Sequence, residues 1–347
     1  MKNNILQERN CEKINWDNLT FSLTPTKSMF ISHWRNGTNW TDGKLIPFGD
    51  VSMSPAAGVL NYGQGIFEGL KAFRTIKDRI ILFRPDKNIE RAMLSAERLC
   101  IPSVPSELFM DGLLKVVKDN SEYIPPSDKG SLYIRPIIWG TGAVLGVAPA
   151  PSYTFIIYVS PVGPYFKSGI RCLNLRVTNK YHRAAPCGVG GYKTIGNYAA
   201  SLYPQKLAKS SGFDEVIYLN ARDNESIEEV GSANLFIVKD KTVSTPPLGG
   251  SILPGVTRDS VIHISREILG LDIEERSISL SEMMEADEVF CTGTAVSVTP
   301  IGKITSDDSV GIINGNKIGN ITLALNTELT SIQKELKDDP FGWLIQV

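Results

Sequence analysis

The stretch GVGGYKTIG, residues 188–196, decides how the rest of the chain is read. It surrounds one lysine, Lys193, with glycines and invites two nucleotide-binding readings, both of which fail. A dinucleotide fingerprint starting at Gly188 needs glycine where Lys193 stands. A phosphate-binding P-loop ending in Lys193-Thr194 needs glycine at Cys187 and at Tyr192. Gly63-x-Gly65 fails likewise, with Glu68 in the third glycine place. What remains is a lysine between glycines, which let backbone pass close to a bulky planar ligand. A lysine desolvated there can lose its proton and act as an amine nucleophile. From this segment alone, a surface lysine on a flexible turn is the commoner reading.

Working outward, residues 28–34, 70–75 and 79–84 read as short strands rich in Ile, Phe and aliphatic residues. Pro85-Asp86 opens a helix with Ile89, Ala92, Met93, Ala96 and Leu99 at helical spacing. Residues 106–119 form a second helix, with Leu108, Phe109, Leu113, Val116 and Val117 on one face. Strands follow at 131–139 and 154–159, then a Pro/Gly segment at 161–166 that reads as a linker. Further strands near 170–178, 214–219, 234–238 and 287–291 are separated by the glycine loop and helices, and a last helix spans about 316–337. Strands and helices do not alternate strictly, so the fold class is α+β rather than one doubly wound sheet. The expected division is an N-terminal domain over 1–160, a linker over 161–174 and a C-terminal domain over 175–347 that carries Lys193.

Composition narrows the function. The 347 residues include 36 Lys+Arg and 37 Asp+Glu, a formal charge of −1. That balance excludes the broad basic surface on which nucleic-acid binding depends. No apolar run reaches the length of a membrane span. Residues 1–18, MKNNILQERNCEKINWDN, carry Glu8, Glu12 and Asp17 and no apolar region, unlike a secretory or transit segment, so a cytoplasmic protein is expected. The five cysteines are widely spaced, with no Cys-x-x-Cys, which argues against a disulfide framework or a zinc ribbon. His33, His182 and His263 share no metal-binding spacing, and no metal site is expected. No Gly-x-Ser-x-Gly elbow occurs. Glu228 and Glu229 are adjacent, so on a strand they point to opposite faces and form no dyad.

Two other segments suit an anion. In SILPGVTR (251–258), Pro-Gly breaks the chain before a helix carrying Val261, Ile264 and Ile268 at helical spacing. The N–H groups of Val256 and Thr257 then stand at its positive end. In EVFCTGTA (288–295) a strand runs into a turn with two hydroxyls, which binds an anion or simply ends the strand.

Taken in order, seven segments resemble the branched-chain amino-acid aminotransferases, the fold-type IV enzymes that use pyridoxal 5′-phosphate. They are YGQGIFEGLKAF (62–73), LFRP (82–85), SLYIRP (131–136), GGYKTIGNYAAS (190–201), EEVGSANLF (228–236), SILPGVTR (251–258) and CTGTAV (291–296). The resemblance spans about residues 30–343 and implies a two-domain architecture like that of D-amino-acid aminotransferase. It implies that Lys193 is the Schiff-base lysine and proton shuttle. Glu229 would face the pyridine nitrogen, and Tyr198 the ring hydroxyl. Arg84, the backbone of Val256 and Thr257, and Thr294 would hold the phosphate. Tyr62, Phe67, Tyr133, Arg135, Tyr165 and Ala295 would line the substrate pocket, and Val147 would reach into the partner's pocket of a homodimer. Arg135 would serve the distal carboxylate of glutamate and 2-oxoglutarate.

The implied reaction is reversible transamination of L-leucine, L-isoleucine and L-valine with 2-oxoglutarate, in two half-reactions. Two other fold-type IV enzymes, D-amino-acid aminotransferase and aminodeoxychorismate lyase, would share the lysine and phosphate cradle. Tyr133-x-Arg135 and EGLKAF match the branched-chain pattern instead. A non-catalytic pyridoxal-phosphate binder would need neither Lys193 nor Glu229. The Cys-x-x-Cys of mammalian members is replaced here by residues 294–298, TAVSV, so that redox switch is absent.

Overall fold

A computed structural model describes residues 14–164 and 169–347. The chain divides into two compact units, Met1–Lys167 with Gln333–Val347, and Ser168–Ile332. This corrects the expected C-terminal domain of 175–347, because the last residues return to the first unit. There Leu344–Gln346 pairs with the strand Ile80–Phe83, a long-range ladder that no local pattern announces. The expected linker also shortens. Pro161 and Val162 still pair with Leu132 and Ser131, and Leu173 already opens the next strand. Pro161 is tolerated because Ser28–Arg35 pairs with this strand only as far as Ile157, so its missing N–H breaks no ladder there.

Among its described residues the first unit holds an eight-stranded antiparallel sheet. Its order is Leu344–Gln346, Ile80–Phe83, Leu70–Arg74, Ser131–Gly140, Ser152–Val162, Ser28–Arg35, Lys44–Pro47, with Gly65–Phe67 also paired to Ser131–Gly140. Side chains alternate across Ser131–Gly140 as strand geometry requires. Leu132, Ile134 and Ile138 enter the core with Phe109, Leu113 and Phe155, while Tyr133 and Arg135 stand half-buried between them in sequence. The helices Pro85–Arg98 and Ser106–Asp119 contribute to that same core.

Periodicity placed Met93 on the inner face of the helix Pro85–Arg98, but Met93 is exposed, while Asn88, Arg91 and Ser95 are buried beside Ile89, Ala92 and Ala96. The cause is Glu68, only 1% exposed. Its Oε1 accepts from Arg91 Nε at 2.8 Å, and its Oε2 from Arg91 Nη2 at 2.7 Å and Asn88 Nδ2 at 2.8 Å. A buried carboxylate demands donors, and the helix turns its polar residues inward to supply them.

The second unit holds a nine-stranded mixed sheet among its described residues. Ile227–Val230 pairs with both Glu215–Leu219 and Ala233–Lys239. These three strands therefore close into a ring of six with Leu173–Thr178, Ser297–Thr305 and Glu288–Gly293. Leu173–Thr178 and Glu215–Leu219 run parallel, which requires a crossover, and the helix Ile195–Ser210 provides it. The helix Val256–His263 continues into a π-helical turn, Ile264–Ile268, which rotates Ile268 outward although Val261 and Ile264 are buried. The last helix is Asn320–Gln333, shorter than the expected 316–337. Asn314, Gly315 and Asn316 all take positive φ, and the Glu288 carboxylate caps the helix by accepting from Ile321 N–H at 3.0 Å and Thr322 N–H at 2.8 Å. No helix among the described residues is long and apolar enough to cross a membrane.

Removing Arg91 strands the Glu68 charge in the core. Arg91→Met is expected to lower unfolding stability in urea by about 3–5 kcal/mol. A loss under about 1 kcal/mol, the scale of an exposed pair, contradicts this account.

Candidate active site

In the second unit Lys193 lies in the crossover, just before the helix Ile195–Ser210, whose N-cap is Thr194. Its Nζ donates to Tyr198 Oη at 3.0 Å and lies 5.4 Å from the centre of that ring. Asn197 pins the loop by donating to Val189 O at 2.8 Å and Tyr192 O at 2.9 Å. The glycines act differently from the sequence reading. Their close approach is to backbone, since Gly191 N–H donates to Gly250 O at 2.8 Å and a Cβ on Gly190 would collide with Ser251 O. They let the lysine loop lie against residues 250–251, the entry to the SILPGVTR segment.

Glu229 is buried on the strand Ile227–Val230. Its Oε1 accepts from Asn234 Nδ2 at 2.7 Å and Leu253 N–H at 3.0 Å, and its Oε2 pairs with Arg183 Nε at 2.7 Å. Burial pushes its carboxyl up to about 7, against the pull of Arg183 and the Leu253 N–H. Arg183 Nη2 also donates to Gly190 O at 3.3 Å and to Ser251 O. Glu228 faces elsewhere, accepting from Ser251 Oγ at 2.5 Å, so the two adjacent acids form no dyad.

The helix Val256–His263 starts at Gly255 with no side-chain cap, with Val256 half-buried and Thr257 buried. A Cβ on Gly255 would strike Asn234 Oδ1, so the residue that holds Glu229 also abuts this helix start. Thr294 and Ala295 are half-buried in the turn between Glu288–Gly293 and Ser297–Thr305. The buried hydroxyls of Thr194 and Thr292 have no hydrogen-bond partner among the described residues. A lysine amine, a buried acid of near-neutral proton affinity, an uncapped helix start and unpartnered hydroxyls fit pyridoxal 5′-phosphate.

The first unit carries the remaining candidates. Arg84 is 4% exposed and takes a left-handed conformation, φ 50 and ψ 46, at the N-cap of the helix Pro85–Arg98. That backbone costs a non-glycine residue about 1–2 kcal/mol. The Arg135 guanidinium lies 4.7 Å from the Phe67 ring centre and 5.2 Å from that of Tyr133, and its Nη2 donates to Tyr133 Oη at 3.3 Å. Tyr62 donates its hydroxyl to Leu145 O, and in that loop Leu145 is 93% and Val147 88% exposed. Tyr165 lies outside the described residues.

Three neighbours of these residues went unread in the sequence. Arg183 precedes Lys193 in a loop without periodicity. Asn234 stands inside EEVGSANLF, where it reads as an ordinary strand residue. Phe21 packs edge-on against Tyr133 at 4.9 Å from a segment with no regular pattern.

Glu229 binds its proton more tightly folded than unfolded. Its contribution to stability is therefore fully present below 4.5 and is lost as pH rises through about 7. Without cofactor, Glu229→Gln is expected to flatten the pH dependence of the melting temperature across that window. Equal slopes in variant and unsubstituted protein contradict the assignment.

The family model described as "Amino-transferase class IV" matches residues 65–304. The chain is similar to branched-chain-amino-acid aminotransferase 5, chloroplastic, of Arabidopsis thaliana, at 49% identity over 335 residues, covering 96% of this chain and 80% of that protein. Its structure is similar to that of the Escherichia coli branched-chain amino acid aminotransferase, with a TM-score of 0.79, 29% identity, and coverage of 92% of this chain and 99% of that one. The branched-chain amino acid aminotransferase of Thermobaculum terrenum in its PLP-form shares the fold, with a TM-score of 0.79 at 22% identity over 93% of this chain and 98% of that one. On the strength of both sequence and fold, this chain belongs to the class IV aminotransferases and, among them, to the branched-chain-amino-acid aminotransferases of fold-type IV, which work with pyridoxal 5′-phosphate.

Proposed function

We propose that the chain moves the amino group of L-leucine, L-isoleucine or L-valine to 2-oxoglutarate, reversibly and in two half-reactions through Lys193. The observation that carries this reading is Arg135 lying against the rings of Phe67 and Tyr133. The rings offer apolar area to an aliphatic side chain, and the guanidinium offers charge to the distal carboxylate of 2-oxoglutarate. In this proposal Tyr62 and Ala295 also serve the substrate, and Tyr165 is assigned on the resemblance alone.

The bound pyridoxal 5′-phosphate supplies the carbonyl that accepts the amino group and a ring that spreads carbanion charge. The chain's own residues do the rest. The Lys193 amine, oriented by the Tyr198 hydroxyl at 3.0 Å, takes the proton from the substrate's α-carbon and later returns one. Glu229 answers the pyridine nitrogen, with Arg183, Asn234 and the Leu253 N–H holding its oxygens. Arg84, the N–H groups of Val256 and Thr257, and Thr294 hold the phosphate. The working form is a homodimer in which Val147 enters the partner's pocket. Two apolar side chains as exposed as Leu145 and Val147 on one loop support a covered surface in the assembly.

The test follows the visible colour of the holoenzyme as single amino acids are added without an acceptor. L-Leucine and L-glutamate are expected to bleach it and D-alanine is not; bleaching by D-alanine alone overturns the substrate assignment. Lys193→Ala is expected to lower turnover by about 10⁴-fold, at the top of the range for a lost acid–base group. Activity within tenfold of the unsubstituted enzyme rejects the role. Arg135→Gln is expected to raise the KM for 2-oxoglutarate by about tenfold or more, the value of a charged hydrogen bond, with a smaller change for L-leucine. Equal changes for both reject the carboxylate assignment.

A further inference from the structure

Residues 333–347 belong to the first unit and end beside the segment that delivers Arg84. Leu344 stands opposite Phe83, and Val347 N–H donates to Ile80 O at 3.0 Å. Just before that strand the chain folds tightly. The Asp339 carboxylate accepts from Phe341 N–H at 3.1 Å and Leu344 N–H at 2.9 Å, and Gly342 takes φ 66. This turn presents Trp343, which is 8% exposed. Its ring stacks on Phe341 at 4.2 Å and meets Phe83 edge-on at 5.6 Å, so the indole is held from two sides.

Arg84 touches Trp343 at both its ends. Its backbone N–H donates to Trp343 O at 2.9 Å, and its guanidinium carbon lies 4.7 Å over the Trp343 ring. The first contact holds the backbone where φ is positive. The second lays a long, flexible cation against a rigid aromatic face. Arginine loses rotamer freedom when it grips an anion, and a side chain already held flat loses less.

We propose that Trp343 is a positioning residue for the cofactor's phosphate: the C-terminal turn sets Arg84 in the conformation and orientation that anion binding needs. This rests on the reading that Arg84 is a phosphate ligand. It makes the last residues of the chain, remote in sequence from every motif of the site, part of the phosphate cradle.

The test strips the enzyme of cofactor and titrates it by visible absorbance with pyridoxal 5′-phosphate and with pyridoxal, which has the same aldehyde and ring but no phosphate. Trp343→Leu keeps apolar bulk and removes the aromatic face; Trp343→Phe keeps a face. Trp343→Leu is expected to weaken pyridoxal 5′-phosphate about tenfold, the value of a desolvated cation–π contact, and to leave pyridoxal unchanged. Trp343→Phe is expected to recover most of the loss, and Arg84→Met to show the same selective loss as Trp343→Leu. Unchanged affinity in Trp343→Leu, or equal weakening for both compounds, overturns the proposal. If the unsubstituted chain takes up neither compound, it is the functional reading that fails. If Arg84→Met binds both normally, Arg84 is not a phosphate ligand.

Discussion

A carboxylate withdrawn from water must be met by donors, and the burial of Glu229 imposes that demand on the whole second unit. Its partners come from three segments far apart in the chain: the Arg183 cation before the lysine loop, and two donors, Asn234 on the neighbouring strand and the Leu253 N–H before the helix that opens at Val256. Each donor belongs to a segment that also carries a candidate site residue. Arg183 goes further, reaching the carbonyls of Gly190 and Ser251. Satisfying one charge thus sets the lysine loop, the acid and the helix start relative to one another. The short strand Ile227–Val230 is what brings the acid to that place, by pairing on both its edges and closing the ring of strands.

The first unit solves a similar problem. Glu68 is buried at the turn after Phe67, and the helix that follows Arg84 presents Asn88 and Arg91 to it. The ion pair therefore ties the backbone next to one candidate substrate residue to the helix next to one candidate phosphate residue. Arg135 is handled differently, with its planar cation packed against the rings of Phe67 and Tyr133.

Much of this was legible locally. The helix Pro85–Arg98 has its starting proline and a helical period, and the helix Ser106–Asp119 has an uninterrupted apolar face. Errors arose where a distant partner outvoted the local pattern. Met93 reads as core-facing by period, but Glu68 draws Arg91 and Asn88 inward and Met93 is left exposed. The last helix loses its expected first turn because three residues of positive φ precede it and Glu288, on another strand, caps the later start. Ile227–Val230 carries two adjacent acids, which weakens its strand signal, yet it closes the ring.

The sequence alone determined what depends on neighbouring residues: the glycine-framed Lys193, the helix that Pro-Gly opens at Val256, the strand and helix periods, the mixed fold class and the resemblance to a family through ordered motifs. Only the tertiary structure decided which groups hold Glu229, why Gly190 must be glycine, that the chain returns at Gln333 to the first unit, and that Trp343 lies on Arg84. The physical reason is common to all four. Periodicity and turn chemistry act over a few residues, whereas hydrogen bonds, ion pairs and ring contacts join side chains whose separation along the chain leaves no period to read.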